Sequence, residues 1–290
     1  MDNKETYEQV SKHYSAASQG KSEKYGAAVA KSFGYSEEEL AAIPEGSNLG
    51  LSCGNPLAIS SIREGETVID LGSGAGFDVF LAASRVGATG RVIGVDMNKD
   101  MLARANKIKA QTGRTNVEFV ESGITDMAAL DAGIADCIIS NCVINLVPET
   151  DKPLVFAEMS RLLKPGGRIA VSDILAKKEL PQKLKSDLAM YVGCIAGASM
   201  VADYERYLSD AGFGDVLIAN TNSNLNVYVQ TDEDGSTKAN SCNAETQPKS
   251  TSASGAAGCC GVQEGKTPGN IADTDLNEWV GSFKIYAVKN

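Results

Sequence analysis

An α/β fold built on a doubly wound, mostly parallel sheet is what this sequence predicts, and three observations carry the prediction. Short apolar runs recur near 67–71, 91–95, 117–121, 135–141 and 167–173, separated by helix-like stretches. That alternation is the pattern of βαβ units on a parallel sheet. The first run, VIDLGSGAGFD (68–78), ends in Asp70 and passes through Gly72, Gly74 and Gly76 into a helical stretch from Val79 to Val86. The second, RVIGVDM (91–97), ends in Asp96, about twenty residues further on, where nucleotide-binding sheets place an acid for ribose hydroxyls.

The flanking elements follow from local signals. Residues 1–55 read as an N-terminal helical cap and a cysteine loop. VSKHYSAAS, YGAAVAKSFGY and SEEELAAI are its helices, and Ser36 with Glu39 stands at capping-box spacing. PEGSNLGLSCGNP (44–56) is a loop rich in Gly, Pro and Asn. Residues 56–230 form the core with its active-site lid. Within it RLLKPGGRIAVSD (161–173) reads as helix stop, turn and strand, and VADYERYLSDAGFGDV (201–216) as an amphipathic helix ending at Gly212 before a strand near 215–221. From Thr231 to Thr274 the composition turns to Ser, Thr, Gly, Asn, Gln and Ala, too polar to repay ordering, so 231–275 is expected to be a flexible insertion. WVGSFKIYAVKN (279–290) alternates apolar residues, and 276–290 is the expected closing strand.

Composition narrows the partners. A chain of 290 residues can bury one sizeable core. A net charge of −10 without a Lys/Arg cluster argues against nucleic acid, and a neutral or cationic small substrate is the easier fit. KIKAQTGR (107–114) reads as a solvated helix end. No apolar run is long enough to span a bilayer, and the polar start MDNKETYEQVSKHYS is unlike a signal sequence, so no membrane partner and a cytoplasmic location are expected. Seven cysteines, an odd number, fit free thiols in a reducing compartment. The oligomeric state is not readable.

The glycine spacing selects the nucleotide. A dinucleotide loop needs its third glycine at position 77, where this chain has Phe77. G-x-G-x-G behind a carboxylate suits a cationic or zwitterionic ligand better than a pyrophosphate. The run resembles the first motif of S-adenosylmethionine-dependent methyltransferases of the Rossmann-like class. That resemblance implies a Rossmann-like doubly wound, mostly parallel seven-stranded sheet with an antiparallel last strand, the closing strand. It also implies S-adenosyl-L-methionine as cofactor. Asp70, Gly72, Gly74, Gly76, Asp96 and Met97 are the expected cofactor contacts, with Gly123 and Ile124 at the adenine and Asn141 at the edge of the fourth strand.

The cysteines narrow the chemistry. Cys53 precedes the first strand, Cys142 follows Asn141 at the tip of the fourth, and Cys194 lies in MYVGCIAGAS (190–199). All three segments should converge on the carboxyl edge of the sheet. Cys137, in mid-strand, reads as a small buried hydrophobe. No CxxC pair of zinc-ribbon type is present. The lone histidine, His13, reads as surface or packing.

NLGLSCGNP, DLGSGAGFD, GVDM, SNCVINLVP (140–148), LKPGGR and the glycine-flanked Cys194 are similar, in that order, to arsenite methyltransferases over roughly residues 45–220. The resemblance implies that Cys53, Cys142 and Cys194 bind trivalent arsenic, arsenite or methylarsenite, as thiolates. It implies a thiol reductant, thioredoxin or glutathione, because methylation oxidises arsenic and two thiolates can reduce it by forming a disulfide, with Cys142 and Cys194 as the expected pair. A fourth cysteine found near the N-terminus in some members has no counterpart in 25–35, and Cys259 and Cys260 are not explained by the core pattern. Two other readings stay open: a quinone- or sterol-type methyltransferase acting on carbon, nitrogen or oxygen, and a non-catalytic arsenic-binding protein.

Overall fold

The computed structural model describes residues 2–19, 23–185, 187, 190–191, 193–226 and 275–290. The expected insertion at 231–275, with Cys259 and Cys260, falls outside the described residues except for Asp275.

The apolar runs fold as strands β1 (Thr67–Leu71), β2 (Arg91–Asp96), β3 (Val117–Glu121), β4 (Ala135–Asn141) and β5 (Leu163–Ala176), followed by β6 (Phe213–Asn220) and β7 (Val280–Lys289). They form one sheet in the order β3-β2-β1-β4-β5-β7-β6. β1 to β5 pair in parallel, and β7 runs antiparallel to both β5 and β6. The seven-stranded sheet with a reversed last strand is therefore as expected.

The helices are α1 (Asn3–Ala17), α2 (Glu23–Ser32), α3 (Glu37–Ala42), α4 (Phe77–Val86), α5 (Lys99–Thr112), α6 (Lys152–Leu162), the short α7 (Gln182–Lys185) and α8 (Val201–Asp210). Side chains alternate across a strand, so each strand feeds both faces of the sheet. Ile69, Leu71, Ile93, Val95, Ile138, Ile169 and Val171 pack with Val155, Phe156 and Met159 of α6 and Tyr204 and Leu208 of α8. Their neighbours Val68, Val92, Cys137, Ile139 and Ala170 turn to the other face, against Val79, Phe80, Ala83 and Val86 of α4. Burial on both faces accounts for near-continuous apolar strands.

Two strands differ from expectation at their ends. β5 begins at Leu163, which pairs with Ala135, before the register shifts and resumes at Arg168 opposite Cys137. It runs on to Ala176 because β7 pairs with it continuously from Arg168 to Ala176. β6 starts at Phe213, straight after Gly212, whose φ of +83° ends the helical segment. The Ser36 capping box is present: Ser36 Oγ accepts from the Glu39 amide at 3.1 Å and Glu39 Oε2 from the Ser36 amide at 2.9 Å.

α1 lies across the carboxyl edge of the sheet. Asn98 donates to the Ser11 carbonyl at 2.9 Å, Tyr7 to Asp151 at 3.1 Å and Arg104 to the Ser18 carbonyl at 2.6 Å. It begins at Asn3, seven residues before the stretch that the sequence suggested, with the Asp2 side chain accepting from the Glu5 amide. Chain order runs outward from β1 through β2 to β3, then restarts on the other side with β4, so β1 and β4 flank the switch point where open α/β sheets bind ligands.

Candidate active site

At that switch point a cleft of about 1110 Å³, part of it open to solvent, lies at the ends of β1, β2 and β4. Asp70, Gly72, Gly74, Asp96, Met97, Gly123, Ile124 and Asn141 line it, eight of the nine expected cofactor contacts. Gly72 adopts a φ of +70°, and a Cβ there would lie 2.5 Å from Val143 Cγ2, so only glycine allows β1 to turn beneath the segment after β4. Gly76 is the exception. It is not among the lining residues, and it precedes α4 with a φ of +91°. A Cβ at Gly76 would meet Phe80 at 2.8 Å and Phe119 at 2.9 Å, so this glycine serves packing beneath the loop.

Three carboxylates line this space, Asp70 and Asp78 buried and Asp96 half-buried. Asp96 is held ready: the Gly74 and Asn98 amides each donate to it at 2.8 Å. Burial pushes its carboxyl up, and those amides oppose the shift. Asp70 is only 3% exposed, and burial, with the charges of Asp78 and Asp96, raises it well above the usual range. No hydrogen bond from the described residues stabilises its ionised form. Ser73 Oγ, also at the cleft, is buried without a hydrogen-bond partner among the described residues. A buried carboxylate at the wall of a cleft suits a ligand that brings positive charge and hydrogen-bonding groups. The ammonium, sulfonium and ribose of S-adenosylmethionine fit that description.

Asn141 braces the cleft from below. Its amide donates to the Gly54 carbonyl at 2.9 Å, Tyr35 Oη at 3.0 Å and Asp78 Oδ2 at 3.0 Å. Its oxygen accepts from the Cys53 amide at 3.3 Å. Tyr35 donates to Asp78 Oδ1 at 2.6 Å. Burial pushes Asp78 up to about 6, against the hydrogen bonds from Tyr35 and Asn141. One side chain thereby joins the cofactor cleft to the first cysteine loop.

Cys53 and Cys142, 89 residues apart in the chain, are joined by a disulfide with Cα atoms 5.8 Å apart. This stands in place of the expected Cys142–Cys194 pair: the loop before the 3₁₀ turn Pro56–Ala58 carries Cys53 to the residue that follows β4, while the Cys194 thiol meets the main chain of Cys142 rather than its sulfur. That thiol donates to the Cys142 carbonyl at 2.7 Å. Burial pushes it far up, aided by the charge of Asp173. Cys142 and Cys194 have φ of +58° and +65°, a left-handed backbone that side chains other than glycine rarely adopt. Such strain persists where surrounding structure over-determines it, commonly at functional sites. Here Asn145 supplies part of that hold, donating to the Cys194 carbonyl at 3.0 Å and to Asp173 Oδ1 at 3.0 Å. Cys137 is fully buried in β4, its thiol pushed up to about 12 by desolvation, as a packing residue should be. His13 stacks edge-on against Tyr14, with ring centroids 5.3 Å apart.

Two groups escaped the sequence reading. Tyr7, Val10, Ser11 and Tyr14 of α1 line the cleft, and their spacing of i, i+3, i+4, i+7 is one helix face. Starting the helix at Val10 hid that stripe. Asp173 is the other. It is fully buried, and one of its carboxylate oxygens lies within 4.8 Å of both Cys53 and Cys142 sulfurs. Its only sequence signal is an acid at the carboxyl end of the run IAVSD.

Comparison with known proteins agrees with this geometry. The family described as a methyltransferase domain matches residues 62–212, more than half of the chain. An arsenite methyltransferase of Halobacterium salinarum is 46% identical over 186 residues, 64% of this chain and 47% of that protein. Another, from Aquipseudomonas alcaligenes, is 42% identical over 178 residues, 59% of this chain and 50% of its own. The chain spans about half the length of these curated relatives. The crystal structure of an arsenic(III) S-adenosylmethionine methyltransferase from Chlamydomonas reinhardtii superposes with a TM-score of 0.57 at 26% identity, covering 92% of this chain and 73% of that one. By the domain that matches, and by the cleft that the domain builds, the chain belongs to the methyltransferase-domain family.

Proposed function

We infer that this protein transfers methyl groups from S-adenosylmethionine to trivalent arsenic, arsenite or methylarsenite, held by the thiolates of Cys53, Cys142 and Cys194, and so detoxifies arsenic in the cytoplasm. The observation that carries the reading is the joining of Cys53 to Cys142 from distant stretches of chain, with the Cys194 thiol donating to the Cys142 carbonyl at 2.7 Å. Cys142 itself lines that cleft.

Trivalent arsenic is soft and thiophilic, so thiolates are its matching ligands. Three protein thiols displace three hydroxyls of arsenite, each thiol proton leaving with a hydroxyl as water. Bound S-adenosylmethionine supplies an electrophilic methyl group on a sulfonium. The arsenic lone pair is the nucleophile, so no side chain need act as a general base. The chain's task is positioning: Asn141 fixes the Cys53 loop against the cofactor floor, and Asn145 fixes the Cys194 carbonyl. The buried walls and α1 exclude water from the reacting centre.

Methylation takes arsenic to the pentavalent state. Two thiolates return two electrons by forming one disulfide, and the Cys53–Cys142 bond is that oxidised product in this reading. A thioredoxin- or glutathione-type dithiol or thiol reductant would reopen it. The test is incubation of the protein with arsenite, a thiol reductant and methyl-labelled cofactor, followed by speciation of arsenic. Labelled methylarsenicals support the reading, and label on carbon, nitrogen or oxygen acceptors alone would refute it.

A further inference from the structure

The disulfide-forming cysteines have a third neighbour that the arsenic chemistry does not use. An Asp173 carboxylate oxygen and the Cys53 and Cys142 sulfurs all lie within 4.8 Å of one another, and all three residues are buried. The Cys194 sulfur is not part of this group among the described residues. Asp173 is also oriented by its own partners. Asn145 donates to Oδ1 at 3.0 Å, the Ile174 amide to the same oxygen at 2.9 Å, and Tyr204 to Oδ2 at 2.8 Å. An ionised carboxylate oxygen accepts along about two lone pairs, so one remains open on Oδ2.

We propose that, once the Cys53–Cys142 bond is reduced, Cys53, Cys142 and Asp173 form a binding site for a divalent cation of the zinc group. The donor set is two thiolates and one carboxylate, which suits zinc or cadmium and leaves a fourth position for water. Trivalent arsenic, by contrast, takes sulfur and has no use for the carboxylate. Zinc–sulfur bonds of about 2.3 Å and zinc–oxygen bonds of about 2.1 Å set tetrahedral donors roughly 3.5–3.8 Å apart. Reduction frees the two bonded sulfurs to separate to that distance on cysteine Cα atoms 5.8 Å apart, with the Asp173 oxygen already within 4.8 Å of both. The hydrogen bonds to Asp173 are the kind of outer contacts that fix a ligating carboxylate. Binding exchanges two thiol protons, released to the buffer, for one dication, and leaves a net charge of −1 on the group. The cation and arsenic then compete for Cys53 and Cys142.

The proposal does not rest on the arsenic reading, because its test needs neither arsenic nor methyl donor. The full chain, reduced with a phosphine that carries no thiol, is titrated with cadmium and followed by thiolate-to-metal charge-transfer absorption. One tight equivalent is expected, with a cadmium-113 resonance in the two-sulfur range. Cys194→Ser should leave that equivalent in place, Cys142→Ser should abolish it, and Asp173→Asn should weaken it by more than about tenfold. The resonance of the unmodified chain decides the matter even if Asp173→Asn fails to fold. A three-sulfur resonance, loss of the site in Cys194→Ser, or no charge-transfer band would overturn the proposal.

Discussion

The side-chain oxygen of Asn141 accepts from the main-chain amide of Cys53 at 3.3 Å, so the residue at the cofactor edge also anchors the first cysteine loop. The cleft and the Cys53 loop are therefore one mechanical unit. The Asn141 amide has three further acceptors, on Gly54, Tyr35 and Asp78, and all three residues are buried. Replacing Asn141 by Ala should cost about 1–3 kcal/mol of stability through the partners left bare. It should weaken methyl-donor affinity and slow arsenic methylation together. Thermal unfolding with and without donor, beside turnover, checks the coupling; a loss of turnover at unchanged stability and affinity would contradict it.

Asp70 gives the opposite pattern. A buried carboxylate without hydrogen bonds destabilises the ligand-free protein. Asp70→Asn should raise the melting temperature of the ligand-free protein while weakening S-adenosylmethionine about 10–100-fold, the loss of about 1.4–2.8 kcal/mol. Calorimetric titration and unfolding scans give the two numbers, and equal or tighter donor binding would remove Asp70 from the cation site.

The pH dependence follows from Asp78. Its folded value of about 6 lies above the ordinary carboxylate value, so between about 4 and 6 the folded state binds more protons than the unfolded chain. Stability of the ligand-free protein from this group is greatest below that window and falls as pH rises through it. Asp78→Asn should flatten the slope over that range. A denaturant series at several pH values measures it, and an unchanged slope contradicts the assignment.

The cysteines should divide by substrate. Arsenite offers three exchangeable positions and methylarsenite two, so in a single turnover, before any disulfide need form, Cys53→Ser should impair arsenite methylation more than methylarsenite methylation. Cys142→Ser and Cys194→Ser should abolish both. Parallel rates with each substrate would show equal losses in Cys53→Ser if the roles were not distinct.

Lys152 holds the segment that follows Cys194. Its fully buried ammonium donates to the Gly197 carbonyl at 2.5 Å, Ser199 Oγ at 2.7 Å and Glu149 at 2.8 Å. Lys152→Met should cost about 1–3 kcal/mol, chiefly from the Gly197 carbonyl left without its donor, since Glu149 keeps access to water. Faster hydrogen exchange at residues 197–199 should accompany it. Unchanged exchange there would place the cost elsewhere.

The fold was legible because alternate burial is written into the strands: Val68 and Ile69, or Cys137 and Ile138, face opposite layers of helices. The glycine loop of the cleft was legible for a related reason. Gly72 and Asp96 act through backbone geometry and a single carboxylate, and both leave local signatures. Gly76 carried the same signature for a different cause, close packing with Phe80 and Phe119, which arises only in the folded chain. The cysteine pairing was not legible, since which sulfur meets Cys142 depends on how the 44–56 loop crosses β4. Asp173 was invisible for the same reason: its proximity to Cys53 and Cys142 arises from β5 lying beside β4, 31 residues beyond Cys142. Tyr7 and Tyr14 reach the cleft because α1 folds back over the sheet edge.

X-ray absorption of arsenite bound to the fully reduced protein, before any methyl donor is added, probes the thiol site most directly. Three arsenic–sulfur bonds and no arsenic–oxygen bond are predicted for the unmodified chain, falling to two sulfurs in Cys53→Ser. Arsenic that keeps its oxygen ligands, or a sulfur count that ignores these cysteines, would contradict the account.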